Sequence, residues 1–239
     1  SGLITVPASI ATADQRRGRA GRQAPGVCYR LWTAAEEDRR DRYPTPEILA
    51  ADLAPLALDL ARWGVKDAGT LRFLDQPPPH HLSQATALLT QLGALDASGR
   101  LTPHGRAMAD LPVHPRLAHM ILRGKELGMA ALACDIAALL EGPDISRGNA
   151  KMDIDLDDQL AAVRGEGRGD AASRSRIQAD ARRLRTLVGA QKDDRAEARP
   201  GLMLGLAFPD RIARRREENG RRYLLANNTG ALLPDWSQL

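Results

Sequence analysis

Helical spacing of leucine and alanine is the feature that most constrains the fold of this chain. Through residues 53–190, apolar side chains recur every three or four positions, and glycine or proline marks the end of several runs. This pattern predicts amphipathic helices that share a core, because each helix offers one apolar face. Aromatic residues make up only 3% of the chain, which disfavours an all-β fold. We therefore expect a mainly α fold with small β elements.

The middle of the chain has the order of elements that is typical of a winged helix. Helices are predicted over 53–63, 82–92 and 102–112, with a short strand at 71–74 and a β-hairpin at 94–101. Gly64 and Gly93 follow the first two helices at the position where a C-cap glycine is favoured. Thr102 and Pro103 supply an N-cap and a first helical residue for the third.

A helical bundle is predicted to follow. Two apolar-faced helices are divided at Gly128, and further helical patterns cover 155–163 and 177–188, with a surface loop expected at 164–175. After an apolar run at 202–208, residues 222–233 have the pattern of a β-hairpin that turns at Asn227–Gly230. We interpret this hairpin as the start of a β domain that the chain does not complete.

The first residues have a different character. Val27–Trp32 is an apolar run after the turn-forming pair Pro25-Gly26, and it predicts a buried strand of an α/β sheet whose other strands lie upstream. Cys28 in this run and Cys134 in a helical run are expected to be buried thiols in a reducing compartment. Trp32 and Trp63 are expected in the core.

Basic charge is concentrated in two segments. Residues 1–43 hold eight bases against five acids, and residues 174–222 hold fourteen against seven. Nearly all the bases are arginine, whose planar fork suits phosphate oxygens, so a phosphate-bearing partner is the first hypothesis. The run Arg211–Arg216 is a candidate RNA contact, with a solvated helix end as the alternative.

The densest group of charged residues is the run Gln-Arg-Arg-Gly-Arg-Ala-Gly-Arg at residues 15–22. If this run is helical, Arg19 and Arg22 lie on one face, where both guanidiniums could reach a single anion. Phosphoryl transfer requires cationic donors on the transferred group, and Gln15 could orient an attacking water. The alternative is a disordered Arg/Gly loop that contacts RNA.

This run, together with its downstream strand at 23–31, resembles the last conserved motif of the DEAH-box ATP-dependent helicases. The similarity continues through Leu101–Arg106 and Leu111–Ala118, and Phe208–Ala213 with its hairpin resembles the bacterial HrpB-type subgroup. The resemblance implies the C-terminal portion of such a helicase. Its parts are the end of the second RecA-like lobe (1–43), a winged helix (44–112), a helical ratchet bundle (113–208) and the start of a C-terminal β domain (209–239).

What the resemblance implies about function is specific. Gln15, Arg19 and Arg22 would reach the γ-phosphate of ATP held, with Mg²⁺, by an upstream RecA-like lobe, and the two arginines would act as fingers. Arg16 and Arg17 would make local contacts. The winged helix and the ratchet would line a channel for single-stranded RNA, or also DNA, in a cytoplasmic protein.

Several sequence patterns limit this interpretation. No G-x-x-x-x-G-K-[ST] loop and no Asp-Glu-x-His sequence occurs, so we expect the chain by itself to bind neither ATP nor Mg²⁺ and to be inactive. The histidines lack the spacing of a zinc site, and the aspartates at 153–158 lack that of a calcium loop. No apolar run is long enough to span a membrane. The alternative from another class is a winged-helix regulator that grips duplex DNA.

Overall fold

A computed structural model describes residues 6–146, 155–167, 169–190, 199–217 and 220–233. The chain divides into two compact units. The first unit contains residues 1–52 and 69–79, and the second contains residues 53–68 and 80–239. Helices predominate in both units, and the β structure is one small antiparallel sheet in the second. The expectation of a mainly α fold with small β elements is confirmed.

The first unit is built around one exposed helix. Its helices are α1 (Ile10–Ala20), α2 (Ala34–Asp38) and α3 (Glu47–Ala50). Ser9 caps α1, because its hydroxyl accepts a hydrogen bond from the amide of Thr12 at 3.2 Å. The amide of Ile10 donates to the carbonyl of Asp41 at 2.9 Å, which fixes the start of α1 against the segment before α3.

The predicted strand at Val27–Trp32 is not present as a strand. The segment forms no β-ladder with any other described residue, and the side chains of Val27, Tyr29 and Leu31 are 75%, 84% and 93% exposed. Cys28 is exposed with them, so the expectation of a buried thiol is wrong at this position. The reason is physical, because a buried parallel strand needs neighbouring strands and covering helices, which the described residues do not supply here.

Two other expectations change in this part of the sequence. Leu71–Leu74 forms bends and turns instead of a strand, and Leu74 is fully exposed. Trp32 is half-buried instead of a core residue, since its indole Nε1 donates to Glu37 Oε2 at 2.7 Å and its ring lies 4.1 Å from the guanidinium carbon of Arg40.

The second unit begins with the elements predicted for the winged helix. They are α4 (Ala54–Arg62), α5 (Pro79–Gln91) and α6 (Pro103–Ala109). Gly64 and Gly93 follow α4 and α5 with φ of 77° and 71°, as predicted from their positions. The predicted hairpin is reduced to a single bridge between Leu95 and Leu101. Trp63 is 69% exposed at the end of α4, so its placement in the core was wrong.

The helical bundle forms the main core. Its helices are α7 (Pro115–Glu126), α8 (Ala130–Glu141), α9 (Leu156–Arg164), α10 (Ala171–Val188) and α11 (Pro200–Ala207). Every residue from Ala130 to Leu139 is buried, so α8 is the central helix and carries no solvent-facing stripe. Its neighbours contribute fully buried side chains, among them Met120, Ile121, Leu160, Ile177 and Met203.

Two details of the bundle were not predicted. Asp135, which is buried in α8, forms an ion pair with Arg185 of α10 that compensates its charge. The helix α10 begins at Ala171, where Asp170 caps it by accepting from the amide of Ser173 at 2.7 Å. The predicted loop at 164–175 is therefore shorter than expected.

A three-stranded antiparallel sheet follows the bundle, in the order β1 (Ala213–Arg215), β2 (Arg222–Leu225) and β3 (Gly230–Leu232). The predicted hairpin is confirmed as β2 and β3, with Asn228 in the left-handed region of its turn at φ 64°. Arg211 ends a short 3-10 helix, and Ala213–Arg215 of the same run forms the edge strand β1.

Candidate functional site

The helix α1 carries most of the arginine motif on a solvent-facing surface. Its only buried residue is Ala13, and everything from Gln15 to Ala20 is exposed. Arg17 and Arg19 lie in the last turn, where the partial negative charge of the helix end favours a cation. A rigid helix thus presents these side chains to solvent.

Gln15, Arg19 and Arg22 are all exposed, but they do not share one helical face. Gln15 and Arg19 are four positions apart on α1 and lie on the same side. The helix ends at Ala20 with Gly21 as its C-cap, so Arg22 lies in the turn beyond it. The idea that Arg19 and Arg22 are aligned by one helix is therefore wrong.

Other acids and arginines near this motif pair with one another. Asp14 accepts from Arg30 at 2.5 Å and lies 3.5 Å from Arg17. Arg30 also pairs with Glu37, which accepts from Trp32 as described above. Within the described ranges, Arg19 and Arg22 make no ion pair. No local pattern in the sequence indicates the role of Arg30, because its partners lie 16 and 7 positions away.

The chain reverses closely after the motif. At Gly26, a Cβ atom would lie 2.0 Å from the carbonyl oxygen of Ala20, so only glycine fits this approach. A turn was predicted at Pro25-Gly26, but the turn and bends lie earlier, at residues 21–24. The segment that holds Arg22 therefore lies between the end of α1 and the close approach at Gly26.

A second basic surface lies on the sheet. Arg214, Arg216 and Arg222 are exposed, and the observed register places all three on the same side of the sheet. On the other side, Arg215 Nε donates to the hydroxyl of Tyr223 at 3.1 Å and its guanidinium carbon lies 5.6 Å from the ring. One side of the sheet thus carries three arginines suited to the phosphates of a single strand, and the other side carries an aromatic ring suited to its bases.

Comparison with known proteins finds similarity to ATP-dependent RNA helicases. Residues 85–113 match the helicase associated domain (HA2), winged-helix. The ATP-dependent RNA helicase HrpB of Escherichia coli K12 is 39% identical over 231 residues, which is 97% of this chain and 26% of that protein. The chain is therefore similar to one segment of HrpB helicases, and it is called HrpB-type below for that similarity. The splicing helicase prp22 of Schizosaccharomyces pombe is 42% identical over 60% of this chain. That match covers 12% of prp22, so it is also partial.

A comparison of folds finds the same similarity. A crystal structure of the E. coli DExH-box NTPase HrpB superimposes with a TM-score of 0.72 at 37% identity, covering 99% of this chain and 27% of that one. This HrpB-type chain therefore spans about a quarter of the length of its bacterial relative. The HA2 match begins inside α5 and includes all of α6.

The histidines and carboxylates of the HrpB-type chain do not form a metal cluster in the residues that the structure describes. His104 and His119 approach to 2.9 Å between Nε2 and Nδ1, but no third ligand joins them. Asp155 caps α9 through the amide of Asp157, as expected of an acidic helix start, whereas Asp153 lies outside the described residues. None of the described helices has the length and apolar character needed to cross a bilayer.

Proposed function

We propose that this chain is part of an ATP-dependent RNA helicase, in which it supplies the arginine fingers and part of the nucleic-acid channel. The observation that carries the proposal is the state of Arg19 and Arg22. Both guanidiniums are exposed and make no ion pair in the described residues, while neighbouring acids are engaged by Arg17 and Arg30. An HrpB-type chain that leaves these two cations available is suited to receive the phosphates of ATP.

The chemistry assigns a role to each residue of the motif. Charge on the oxygens of the transferred γ-phosphoryl group must be neutralised, and fixed guanidiniums do so without reorganising. Arg19 lies on α1 and Arg22 in the bend that follows it, so the two reach an anion from different backbone positions. Gln15, one turn before Arg19, is placed to orient the attacking water.

The remaining parts of an ATP site belong to an upstream RecA-like lobe in this proposal. The chain has no phosphate-binding loop and no Asp-Glu-x-His sequence, and its described carboxylates form no cluster suited to a metal. The Mg²⁺ that accompanies ATP therefore has no ligands among these residues. The exposed apolar side chains of Val27, Tyr29 and Leu31 agree with this assignment of residues 1–43. They would be buried if this segment became a strand between strands of the upstream lobe.

We assign RNA contact to the arginine-bearing sheet. We also keep the domain bounds that were predicted from the sequence. Residues 44–112 form the winged helix in this assignment, which the HA2 match at 85–113 supports, and residues 113–208 form the ratchet bundle. Residues 209–239 begin the β domain, whose arginines contact the backbone of single-stranded RNA, or of DNA as a second polynucleotide. The whole protein is proposed to act in the cytoplasm.

The test uses a longer chain that includes the phosphate-binding loop and the DEAH box. Arg19→Ala and Arg22→Ala should abolish RNA-stimulated ATP turnover while a fluorescent ATP analogue still binds. Arg16→Ala is the matched control, because it removes an exposed arginine from the same helix and should leave turnover within about twofold of wild type.

Three results would contradict the proposal. If RNA-stimulated ATP turnover is equal in the Arg16→Ala and Arg19→Ala chains, Arg19 is not an arginine finger. ATP hydrolysis by the 239-residue chain alone would show that it holds the whole site. Sequence-specific binding of duplex DNA, with Arg19 affecting affinity only, would favour a winged-helix regulator instead.

A further inference from the structure

The guanidinium of Arg116 joins the first turn of α7 to the segment that leads into the sheet. Nη1 donates to the carbonyl of Ala207 at 3.1 Å and to Oδ1 of Asp210 at 2.6 Å, and Nη2 donates to Oδ2 at 3.2 Å. The side chains of Arg116 and Asp210 are 13% and 26% exposed. This bidentate pair links positions 94 residues apart.

An aromatic ring completes the junction. The ring centroid of Phe208 lies 5.3 Å from the guanidinium carbon of Arg116 and 4.9 Å from that of Arg211. Both distances are within the range of a cation–π contact. Burial alone would raise the pKa of the Asp210 carboxyl, but its hydrogen bond to Arg116 and the charge of Arg116 outweigh that effect and lower the pKa.

The same segment is bonded onward to the sheet. The backbone carbonyl of Asp210 accepts from the amide of Asn227 at 3.2 Å, in the turn between β2 and β3. The carbonyl of Ile212 accepts from the amide of Ala226 at 2.8 Å. A continuous series of polar contacts thus runs from α7 through Arg116 and Asp210 to the turn of the hairpin.

The sheet has little apolar packing to orient it otherwise. All residues of β1 and β3 are exposed, and those of β2 are at most half-buried. A sheet without a buried face depends on its polar junctions for a fixed direction relative to the bundle.

We propose that Arg116 is a positioning residue, which sets the orientation of the arginine-bearing sheet on the helical bundle and thereby its affinity for single-stranded RNA. The proposal rests on the RNA contact assigned to the sheet under the proposed function. Arg116 itself is too enclosed to reach a polynucleotide, so it acts through Asp210 and the backbone that follows.

The experiment measures the anisotropy of a fluorescein-labelled oligouridylate with the full 239-residue chain. Arg116→Gln and Asp210→Asn should each weaken binding about tenfold, within the range known for residues that act through others. The double variant should be no weaker than either single variant, because both remove one interaction. Arg62→Gln is the matched control, since Arg62 also donates to a helix-end carbonyl, that of Ala109, and to an aspartate, Asp110.

The sign of the Asp210→Asn effect separates positioning from simple electrostatics. This variant removes a negative charge, so electrostatics alone would strengthen RNA binding, whereas loss of orientation weakens it. Hydrogen exchange supplies the second readout. In Arg116→Gln, amides of β1–β3 should exchange faster while those of α8 keep their protection, which a general loss of stability would not produce.

The outcomes are distinguishable. Wild-type affinity in Arg116→Gln, with weakened binding in Arg214→Gln, would overturn the positioning role and leave the RNA surface standing. If the wild-type chain does not bind the oligouridylate, the RNA assignment fails. In that case unchanged exchange of the sheet in Arg116→Gln would overturn the positioning role as well. If Arg116→Gln does not fold, Asp210→Asn tests the same junction from its other side.

Discussion

Replacement of Gly105 by alanine tests how α6 is held against the turn before it. Gly105 is buried in the first turn of α6, and its amide donates to the hydroxyl of the N-cap Thr102 at 2.9 Å. A Cβ atom there would lie 2.1 Å from the carbonyl oxygen of Ala94 and 2.8 Å from Cδ1 of Leu101. The carbonyl of Ala94 also accepts from the amide of Thr102 at 3.0 Å, so it cannot withdraw without weakening that bond.

The sign of the effect follows from two opposed contributions. Alanine is favoured over glycine inside a helix by about 1 kcal/mol. Overpacking costs about 1–3 kcal/mol and the strained hydrogen bond costs about 1 kcal/mol more. We expect Gly105→Ala to lower the free energy of unfolding by about 1–3 kcal/mol, measured by urea denaturation followed by far-UV circular dichroism.

Gly201 provides the matched control for this substitution. It lies in α11 of the same unit, and a Cβ atom there would meet nothing within 4 Å. Gly201→Ala should leave the free energy of unfolding unchanged or raise it by up to about 1 kcal/mol. An equal or higher urea midpoint for Gly105→Ala than for wild type would refute the steric argument.

Two further predictions concern titration and thiol chemistry. Burial, with smaller contributions from His104 and Arg123, lowers the pKa of His119 to about 4. The unfolded chain therefore takes up a proton at this histidine near pH 6.5, whereas the folded chain does so only near pH 4. The free energy of unfolding should therefore fall as pH drops from 6.5 toward 4. His119→Gln should reduce this slope in urea titrations, and an unchanged slope would contradict the assignment. Cys28 is exposed whereas burial raises the pKa of Cys134 to about 12. Ellman's reagent should label one thiol in the native chain and two in guanidinium chloride, and labelling of both in the native chain would contradict the buried position of Cys134.

Local chemistry explains what could be predicted of the fold. Gly64, Gly93 and Gly128 mark helix ends because each adopts a positive φ that glycine tolerates, and this requirement is visible in the sequence. The exposure of Val27, Tyr29 and Leu31 could not be predicted, because an apolar run indicates that a strand needs burial and not whether its neighbours are present.

The candidate site, too, could be predicted only in part from the sequence. The motif at 15–22 was visible because its residues are contiguous, but the end of α1 at Ala20 separated Arg19 from Arg22. The pair of Arg116 with Asp210 gave no signal, because 94 residues lie between them and neither has an unusual local setting. Contacts of this kind depend on how the helices pack, which the periodicity of one segment does not specify.

The placement of arginines on β1 also affects how chains meet one another. β1 is an edge of the described sheet, and a strand from a second copy could extend an edge of this kind. Pairing of two such edges would bring Arg214 and Arg215 of one copy against the same guanidiniums of the other. Mutual repulsion opposes that contact, and a polyanion laid along the edge would relieve the repulsion. The charge on this edge therefore disfavours pairing between two copies of the chain and favours contact with a negatively charged polymer.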